Sequence, residues 1–226
     1  MKRIIITIAM SLLVCLAAIA QNQHRAYVKS QIDKWGLCRT VAITKKGGAV
    51  AITQTNAYTA SGIPKAMEKA LKRANEKGYQ IDDVVLTDKG SWLVLYANNG
   101  VDCGKVPKNL ENQLRALNKA GEKITSVTFN DAGEWIVVTA TKAVCSYDIY
   151  DWIADGEQKY GKLLTAHITG NGLAMRFERG YKFDGVVPEA LKDRLKSTKI
   201  DVYRIKFWSD GTYFFADRKG NYSYKL

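Results

Sequence analysis

The sequence contains only two histidines, His24 and His167, and this scarcity limits the catalytic and metal-binding chemistry open to it. No histidine and cysteine spacing typical of a zinc site occurs, and neither does a C-x-x-C pair. The nucleophile motif G-x-S-x-G, the phosphate-binding P-loop and the metalloprotease motif H-E-x-x-H are also missing. These absences argue against the common hydrolases and metalloenzymes, and we predict a protein without catalytic residues, metal or cofactor.

Long apolar runs are equally scarce, because the only one lies within the first 20 residues. Two basic residues precede an apolar stretch over residues 4–16, and Ala18-Ile19-Ala20 has the A-x-A form of a signal-peptidase site. We therefore predict a signal peptide over residues 1–20, cleavage after Ala20, and export to the periplasm or the exterior. The stretch is too short for a lasting membrane span, and we expect none in the mature chain.

Cysteine is the third sparse residue type. Four are present, and three of them, Cys38, Cys103 and Cys145, would remain after cleavage. An odd number leaves one thiol free or paired between molecules. Cys103 and Cys145 occupy nearly matching places in neighbouring repeats, so they are the predicted disulfide where export permits one.

Acidic residues are outnumbered, with 22 Asp and Glu against 34 Lys and Arg and a formal net charge of +12. A basic protein attracts anionic partners such as acidic glycans, lipopolysaccharide or nucleic acid. A lysine-rich solvated surface without such a partner gives the same composition. The charge by itself therefore leaves both interpretations open.

Against these absences stands a repeat. The segment GSWLVLYA at 90–97 recurs as GEWIVVTA at 133–140, and each begins within a turn rich in Asp, Asn and Gly. Similar turns lie at 45–50, 169–174 and 208–213. Glycine supplies the positive φ that tight hairpins need, so each turn predicts a β-hairpin.

A helical pattern precedes each hairpin. Pro64, Pro107 and Pro188 each stand at a helix start, where the missing N–H of proline costs nothing. Apolar residues then recur at helical spacing, and glycines follow at the expected C-terminal caps. Two further helices are predicted, one at about residues 26–35 and one that ends at Gly161.

The mature chain, residues 21–226, is thus predicted to be a single α/β repeat domain of five αββ units, each of about 40 residues. The approximate units are 24–58, 62–103, 104–147, 148–184 and 185–226. Such a unit cannot bury its apolar surface alone, so neighbouring units must stack. We favour a closed, propeller-like ring over an open array, because the first helix can then cover the last hairpin and remove an exposed strand edge.

The pattern of helix, G-Y-x-I, strand, turn and G-x-W-x-V-V is carried by Gly78–Ile81 with Trp92 and by Gly121–Ile124 with Trp135. It resembles a tandem repeat found behind the kinase domain of plant casein-kinase-I-like proteins and in bacterial secreted proteins. The resemblance covers the second and third units best. It implies a propeller-like repeat fold, and it brings no catalytic residue and no ligand.

A five-fold α/β ring also resembles the guanidine-modifying penteins, a family with a site made of cysteine, histidine and acidic residues. This chain departs from that family because it is short and has no cysteine near its C-terminus. An enzyme of unrecognised type therefore remains an alternative without assigned residues.

Binding is the function class that the sequence favours: an exported interaction module of the bacterial envelope first, and a charge-driven polyanion binder second. Arg204, Lys206 and Trp208 alternate along the strand DVYRIKFW and share one face. We predict that this face is exposed and, as a ligand-binding candidate, suits an anionic glycan or single-stranded nucleic acid by charge and stacking. For the protein as a whole, the predicted partner is an anionic glycan or another envelope component, or a protein, and nucleic acid is less favoured. An ordinary solvated strand face with a packed tryptophan is the alternative.

A second basic face is predicted on the helix after Pro64. Lys65, Lys69 and Lys72 follow one another at helical spacing and lie on one side. We include them as ligand-binding candidates, although glutamates on the same helix dilute the charge and also fit an ordinary solvated face.

Overall fold

The computed structural model describes residues 23–53 and 55–226, so the predicted signal peptide lies outside the described residues. The predicted α/β repeat architecture is confirmed, because this part of the chain has five helices and five separate three-stranded antiparallel sheets. The helices are α1 (residues 23–35), α2 (Lys65–Glu76), α3 (Lys108–Lys119), α4 (Tyr150–Tyr160) and α5 (Glu189–Ser197). The strands are β1 (Thr40–Ile43), β2 (Ala49–Thr53), β3 (Ala57–Ser61), β4 (Ile81–Leu86), β5 (Trp92–Tyr96), β6 (Val101–Gly104), β7 (Ile124–Phe129), β8 (Trp135–Thr139), β9 (Ala143–Cys145), β10 (Leu163–Ile168), β11 (Gly172–Phe177), β12 (Gly180–Gly185), β13 (Arg204–Phe207), β14 (Tyr213–Ala216) and β15 (Tyr222–Lys225).

Each unit is a helix followed by a three-stranded meander, one strand more than the predicted αββ unit. The first two strands are the predicted hairpins, such as β4 with β5, in which Leu86 pairs with Trp92 across the turn. The third strands β3, β6, β9, β12 and β15 are mostly half-buried and carry mixed polar and apolar residues. They lack the continuous apolar runs that identify buried strands, which is why the sequence did not indicate them.

The prolines and glycines delimit the helices as the sequence indicates. Pro64, Pro107 and Pro188 hold the N-cap positions of α2, α3 and α5 with φ near −55°, at −57°, −54° and −56°. Gly161 caps α4 with φ of 79°, a left-handed conformation that glycine adopts without steric cost. These residues fix where each helix leaves one sheet and delivers the chain to the next.

The five units form a closed ring, as favoured from the sequence. The first strand of each sheet contacts that of the next in the order β1, β4, β7, β10, β13, and β13 in turn contacts β1. Helix α1 packs against the fifth sheet in one buried cluster with Phe214 and Ala216. Across the same junction the Tyr222 hydroxyl donates to the Ile32 carbonyl at 3.3 Å, and the Cys38 amide donates to the Gly220 carbonyl at 2.8 Å.

The hydrophobic core is divided among the gaps between neighbouring sheets, and the helices fill these gaps. In one cluster, Met67 and Leu71 of α2 lie between Ile52 of the first sheet and Val94 of the second. The second strands are buried on both faces, as their sequence predicts. Trp92 and Trp135 are 6% and 5% exposed, which confirms the interpretation of both as core residues.

The predicted disulfide between Cys103 and Cys145 is not present in the structure, and Cys38, Cys103 and Cys145 are free thiols. Cys103 packs against the cluster around α3, whereas Cys145 packs against the cluster around α4. Equivalent positions in consecutive repeats lie on consecutive sheets, and the two thiols therefore pack against different hydrophobic clusters.

Candidate binding sites at the two ends of the ring

A column of buried polar side chains runs through the middle of the ring. These side chains come from the first strands, whose alternate residues pack between the sheets and leave the others facing the centre. Eight of them are buried, and we call this set the polar axis: Thr40, Asp83, Ser126, Thr128, Thr165, His167, Arg204 and Lys206.

An ion cluster lies at the centre of the polar axis. Arg204 and Lys206 of the fifth unit both reach Asp83 of the second unit, and the Lys206 Nζ lies 2.9 Å from Asp83 Oδ1. The Thr40 hydroxyl also donates to Asp83 at 2.8 Å. The first unit contributes only the small side chain of Thr40 to the polar axis. The longer side chains of Arg204 and Lys206 can therefore extend past β1 to reach Asp83.

The cluster holds two cations against one carboxylate. Burial would raise the pKa of Asp83, but Arg204 and Lys206 outweigh burial and hold the pKa below its usual value. Burial lowers the pKa of Lys206, and Asp83 offsets this only in part because Arg204 lies close by. The polar axis therefore carries an excess of positive charge.

Hydrogen bonds from the axial side chains join neighbouring first strands that have no backbone ladder between them. The Thr165 hydroxyl donates to the Tyr203 carbonyl at 2.8 Å, and the Ser126 hydroxyl donates to the Ala166 carbonyl at 3.3 Å. A third bond joins two first strands that are not neighbours, since the Arg204 guanidinium of β13 donates to the Asp82 carbonyl of β4 at 3.1 Å, past β1. These bonds link the first strands, whose two ends line the cavities at the two ends of the axis.

One end of the axis opens into a cavity of about 730 Å³ at the beginnings of the first strands. We call it the basic cavity because six cationic side chains line it against one carboxylate, that of Asp82. The cations are Arg39, Lys123, Lys162, Arg204, Arg218 and Lys219.

The cations of the basic cavity differ in how far their charge is already compensated. Arg39 pairs with Asp82 at 3.3 Å, and Arg204 pairs with Asp83. The Arg218 guanidinium lies over the Tyr203 ring at 4.1 Å. The remaining lysines, Lys123, Lys162 and Lys219, are exposed and form no ion pair within the described part of the chain. Their ammonium groups are therefore available to an anionic ligand.

β-Bulges place the side chains at the mouth of the basic cavity. The ladder register shifts between Ile81 and Asp83, and equivalent shifts occur at the starts of β7 and β10. A bulge adds one residue to a strand and re-aims the side chains beside it. Asp82, Thr125 and Leu164 occupy the added positions, and all three line the cavity.

The other end of the axis opens into a cavity of about 440 Å³ among the ends of the first strands and the hairpin turns. We call it the tryptophan cavity because half-buried Trp208 forms part of its wall, with His167 and Lys206 deeper inside. The lining also includes the apolar side chains of Leu86 and Phe129. The lining holds two carboxylates, Asp88 and Asp131, against two cations, Lys45 and Lys206, so its charge is balanced where that of the basic cavity is not.

His167 is neutral at physiological pH. Burial, followed by the nearby ammonium of Lys206, lowers its pKa to about 3 from the ordinary 6.5. Its Nε2 atom lies 2.9 Å from the Phe207 carbonyl oxygen, which can only accept a hydrogen bond. The proton is therefore on Nε2, and Nδ1 carries a lone pair.

We expect His167 to make the fold acid-sensitive between about pH 6 and about pH 4, because the unfolded chain binds a proton there that the folded chain does not. Stability is fully present above the unfolded pKa of 6.5 and is lost as pH falls toward 3. The free energy of unfolding should fall by up to about 1.4 kcal/mol per pH unit relative to His167→Gln. Urea titrations of both proteins at several pH values test this, and a constant difference between them would contradict it.

The structure corrects one part of the sequence-based site and leaves the rest as prediction. Arg204 and Lys206 share a face with Trp208 as expected, but the expected exposure of that face is wrong, since they are 4% and 2% exposed. The face points into the closed ring, where Asp83 neutralises part of its charge. Lys65, Lys69 and Lys72 are exposed on α2 and line neither cavity.

Sequence reasoning missed Lys123 and Lys162, which face the basic cavity. Each stands immediately before the first strand of its unit, as Gln80 does in the second unit, and all three line the cavity. An alignment of the repeats position by position would have shown this recurring polar site. The hairpin turns carry a stronger sequence signal, because glycine identifies them clearly.

The described residues include no helix that is both long and apolar enough to cross a bilayer. No protein-family model matches the sequence, and no curated protein matches it either. Among solved structures, the chain is similar to an extracellular domain attributed to a one-component system of B. thetaiotaomicron, with 11% identity and a TM-score of 0.35. The match covers 83% of this chain and 35% of that one, so this chain spans about a third of the neighbour's length, and the similarity is too low to transfer a function.

Proposed function

We propose that the protein is an exported binding module that holds an anionic ligand, such as an acidic glycan segment, in the basic cavity. One observation carries the proposal: six cations and a single carboxylate line one concave site at the end of the ring axis. Export is proposed from the signal-peptide pattern of residues 1–20.

The shape of the basic cavity favours a short charged segment over an extended polyanion. A volume of about 730 Å³ lies in the range of ligand sites for molecules of a few rings. Duplex nucleic acid presents phosphates along an extended path, and a protein binds it through cations spread over a comparable length. The guanidinium groups of Arg218 and Arg204 lie over the Tyr203 ring at 4.1 and 5.5 Å, so this ring helps to hold two of the cations in place.

Binding is favoured over thiol-based catalysis by the state of the three cysteines. Burial raises the pKa of Cys38 to about 12 and that of Cys145 to about 11, and burial likewise raises the pKa of Cys103. A thiol with a raised pKa is a poor nucleophile at neutral pH. Among the described residues, no hydrogen bond links a cysteine to His167, so neither thiol nor imidazole is activated by the other.

The proposal predicts salt-sensitive binding that depends on the lysines of the cavity. We expect residues 21–226 to bind a heparin-derived tetrasaccharide in calorimetric titrations, with affinity falling about a hundredfold between about 50 and about 300 mM salt. Lys123→Glu combined with Lys162→Glu should weaken binding by roughly a hundredfold at low salt, because two attractive contacts become repulsive.

Lys65→Glu combined with Lys69→Glu is the matched control. It changes the net charge equally, on exposed positions of α2 that do not line the cavity. It should weaken binding only a few-fold. Equal losses in both double variants would mean diffuse attraction and would refute the site, whereas absence of binding at both salt concentrations would refute an anionic ligand of this kind.

A further inference from the structure

The Nδ1 atom of His167 is a buried acceptor that no described residue satisfies. The imidazole is 8% exposed and lines the tryptophan cavity, and its Nδ1 has no hydrogen-bond partner among the described residues. The Nε2–H is already donated to the Phe207 carbonyl, which fixes the tautomer and the ring orientation. A buried polar atom without a hydrogen-bond partner costs folding free energy, so a donor on a ligand could satisfy this lone pair.

Lys206 supplies a donor in the same cavity. Its ammonium has three N–H groups. The Nζ atom lies 2.9 Å from Asp83 Oδ1 and 3.2 Å from the Val84 carbonyl oxygen. These two partners use two of the N–H groups, and the third has no partner among the described residues. The ammonium is close enough to His167 to lower the pKa of the imidazole. An acceptor and a donor without partners are therefore both buried in the lining of one cavity.

Trp208 gives the cavity an aromatic wall beside these two groups. Its ring packs edge-to-face against the His167 ring, with the ring centroids 6.1 Å apart. Leu86 and Phe129 make much of the remaining lining apolar. Such a wall suits a ring-shaped ligand that stacks its C–H face on the indole.

We propose that the tryptophan cavity is a second binding site, selective for a neutral hydroxyl-bearing ring such as a sugar residue. A hydroxyl is the simplest ligand group that can donate to the His167 Nδ1 and accept from the Lys206 ammonium through one oxygen. The site lies at the opposite end of the axis from the basic cavity and needs no charge on its ligand. It is therefore independent of the anion-binding function proposed above.

The same geometry disfavours charged ligands in the tryptophan cavity. A carboxylate or phosphate would place negative charge against the Nδ1 lone pair, which cannot donate to it. Asp88 and Asp131 in the lining offset the cations Lys45 and Lys206, so the cavity offers an anion no net attraction. A ligand ammonium would instead meet Lys206, so a neutral hydroxyl remains the group that fits both partners.

Nitrogen-15 NMR of the two histidines tests the site directly, because His167 is one of only two in the chain. We would titrate residues 21–226 with the methyl glycosides of glucose, galactose and mannose, and with cyclohexanecarboxylate as an anionic ring of similar size. At least one glycoside should move the His167 Nδ1 resonance upfield, as expected when the lone pair accepts a hydrogen bond, and should change the tryptophan fluorescence. No response to any glycoside, or tighter binding of the carboxylate, would overturn the proposal.

A conservative variant separates the hydrogen bond from the fold. His167→Phe keeps a ring that can pack against Trp208 and has no acceptor in place of Nδ1, and it should weaken the bound glycoside by about tenfold or more. Lys69→Glu, at an exposed position of α2 that lines neither cavity, should leave that affinity unchanged. Should His167→Phe fail to fold, Trp208→Leu at the half-buried wall replaces it, and the His167 Nδ1 resonance of that variant should stay at its ligand-free position when glycoside is added. Unchanged glycoside affinity in a folded variant would overturn the site.

Discussion

Asp83→Asn should lower the free energy of unfolding by about 3–5 kcal/mol, the largest expected loss from a single polar substitution in this chain. Asp83 is fully buried and is the one carboxylate that contacts both Arg204 and Lys206 in the polar axis. Asparagine keeps the shape and can still accept from Thr40, but it leaves two cations without a counter-charge in the middle of the ring. Equilibrium unfolding in urea at neutral pH measures the loss.

A triple variant distinguishes lost charge balance from lost packing. Asp83→Asn with Arg204→Met and Lys206→Met removes all three charges and keeps most of the volume, so it should recover a large part of the stability. A loss below about 1 kcal/mol for Asp83→Asn would mean that the cluster is effectively solvated. In that case the ion cluster of the polar axis would contribute little to the stability of the ring.

The polar axis also explains where sequence reasoning succeeds and where it fails. The alternation of Arg204, Lys206 and Trp208 identifies residues that share a face, because strand side chains alternate with a period of two. It does not identify whether that face meets solvent or the inside of a closed ring. The assignment to solvent followed the general rule that cations are exposed, and that rule fails where Asp83, distant in sequence, pairs with both cations.

The fold itself was largely predictable because its signals are local. Prolines at three helix starts, glycines in the turns and apolar runs in the second strands depend only on neighbouring residues, and the structure has the elements where these signals place them. The third strands depend on pairing with the strand before them. Their half-buried sequences, such as the segment from Tyr222 to Lys225, carry little local signal.

The cavities could not be predicted in the same way, because each is assembled from all five units. Lys123 and Lys162 meet Arg39 and Arg218 only when the ring closes, and no local pattern shows that they share a cavity. The unpaired lone pair of His167 is also invisible in the sequence, since it depends on which carbonyl the other ring nitrogen meets. A repeat alignment indicates equivalent positions, but the burial and pairing at those positions come from the closed ring.

Closure of the ring predicts a large loss of stability when buried residues near either end of the chain are truncated. Ile32 of α1 and Phe214 of β14 are fully buried in one cluster. Ile32→Ala should cost about 2–5 kcal/mol and Phe214→Ala about 3–5 kcal/mol, because each leaves a cavity in a packed core. Urea unfolding of both variants gives these values.

The double variant tests whether the two ends share that core. Residues in one packed cluster typically show an interaction energy of about 0.5–3 kcal/mol, whereas residues far apart are additive within about 0.5 kcal/mol. We expect the combined loss for Ile32→Ala and Phe214→Ala to be smaller than the sum, because the second truncation enlarges a cavity already present. Ile32→Ala with Leu114→Ala is the matched control, since Leu114 lies in the cluster around α3, away from the junction. Additive losses in both pairs would mean that α1 does not cover the last sheet. The chain would then be an open array, with the aromatic strand β15 left at an uncovered edge.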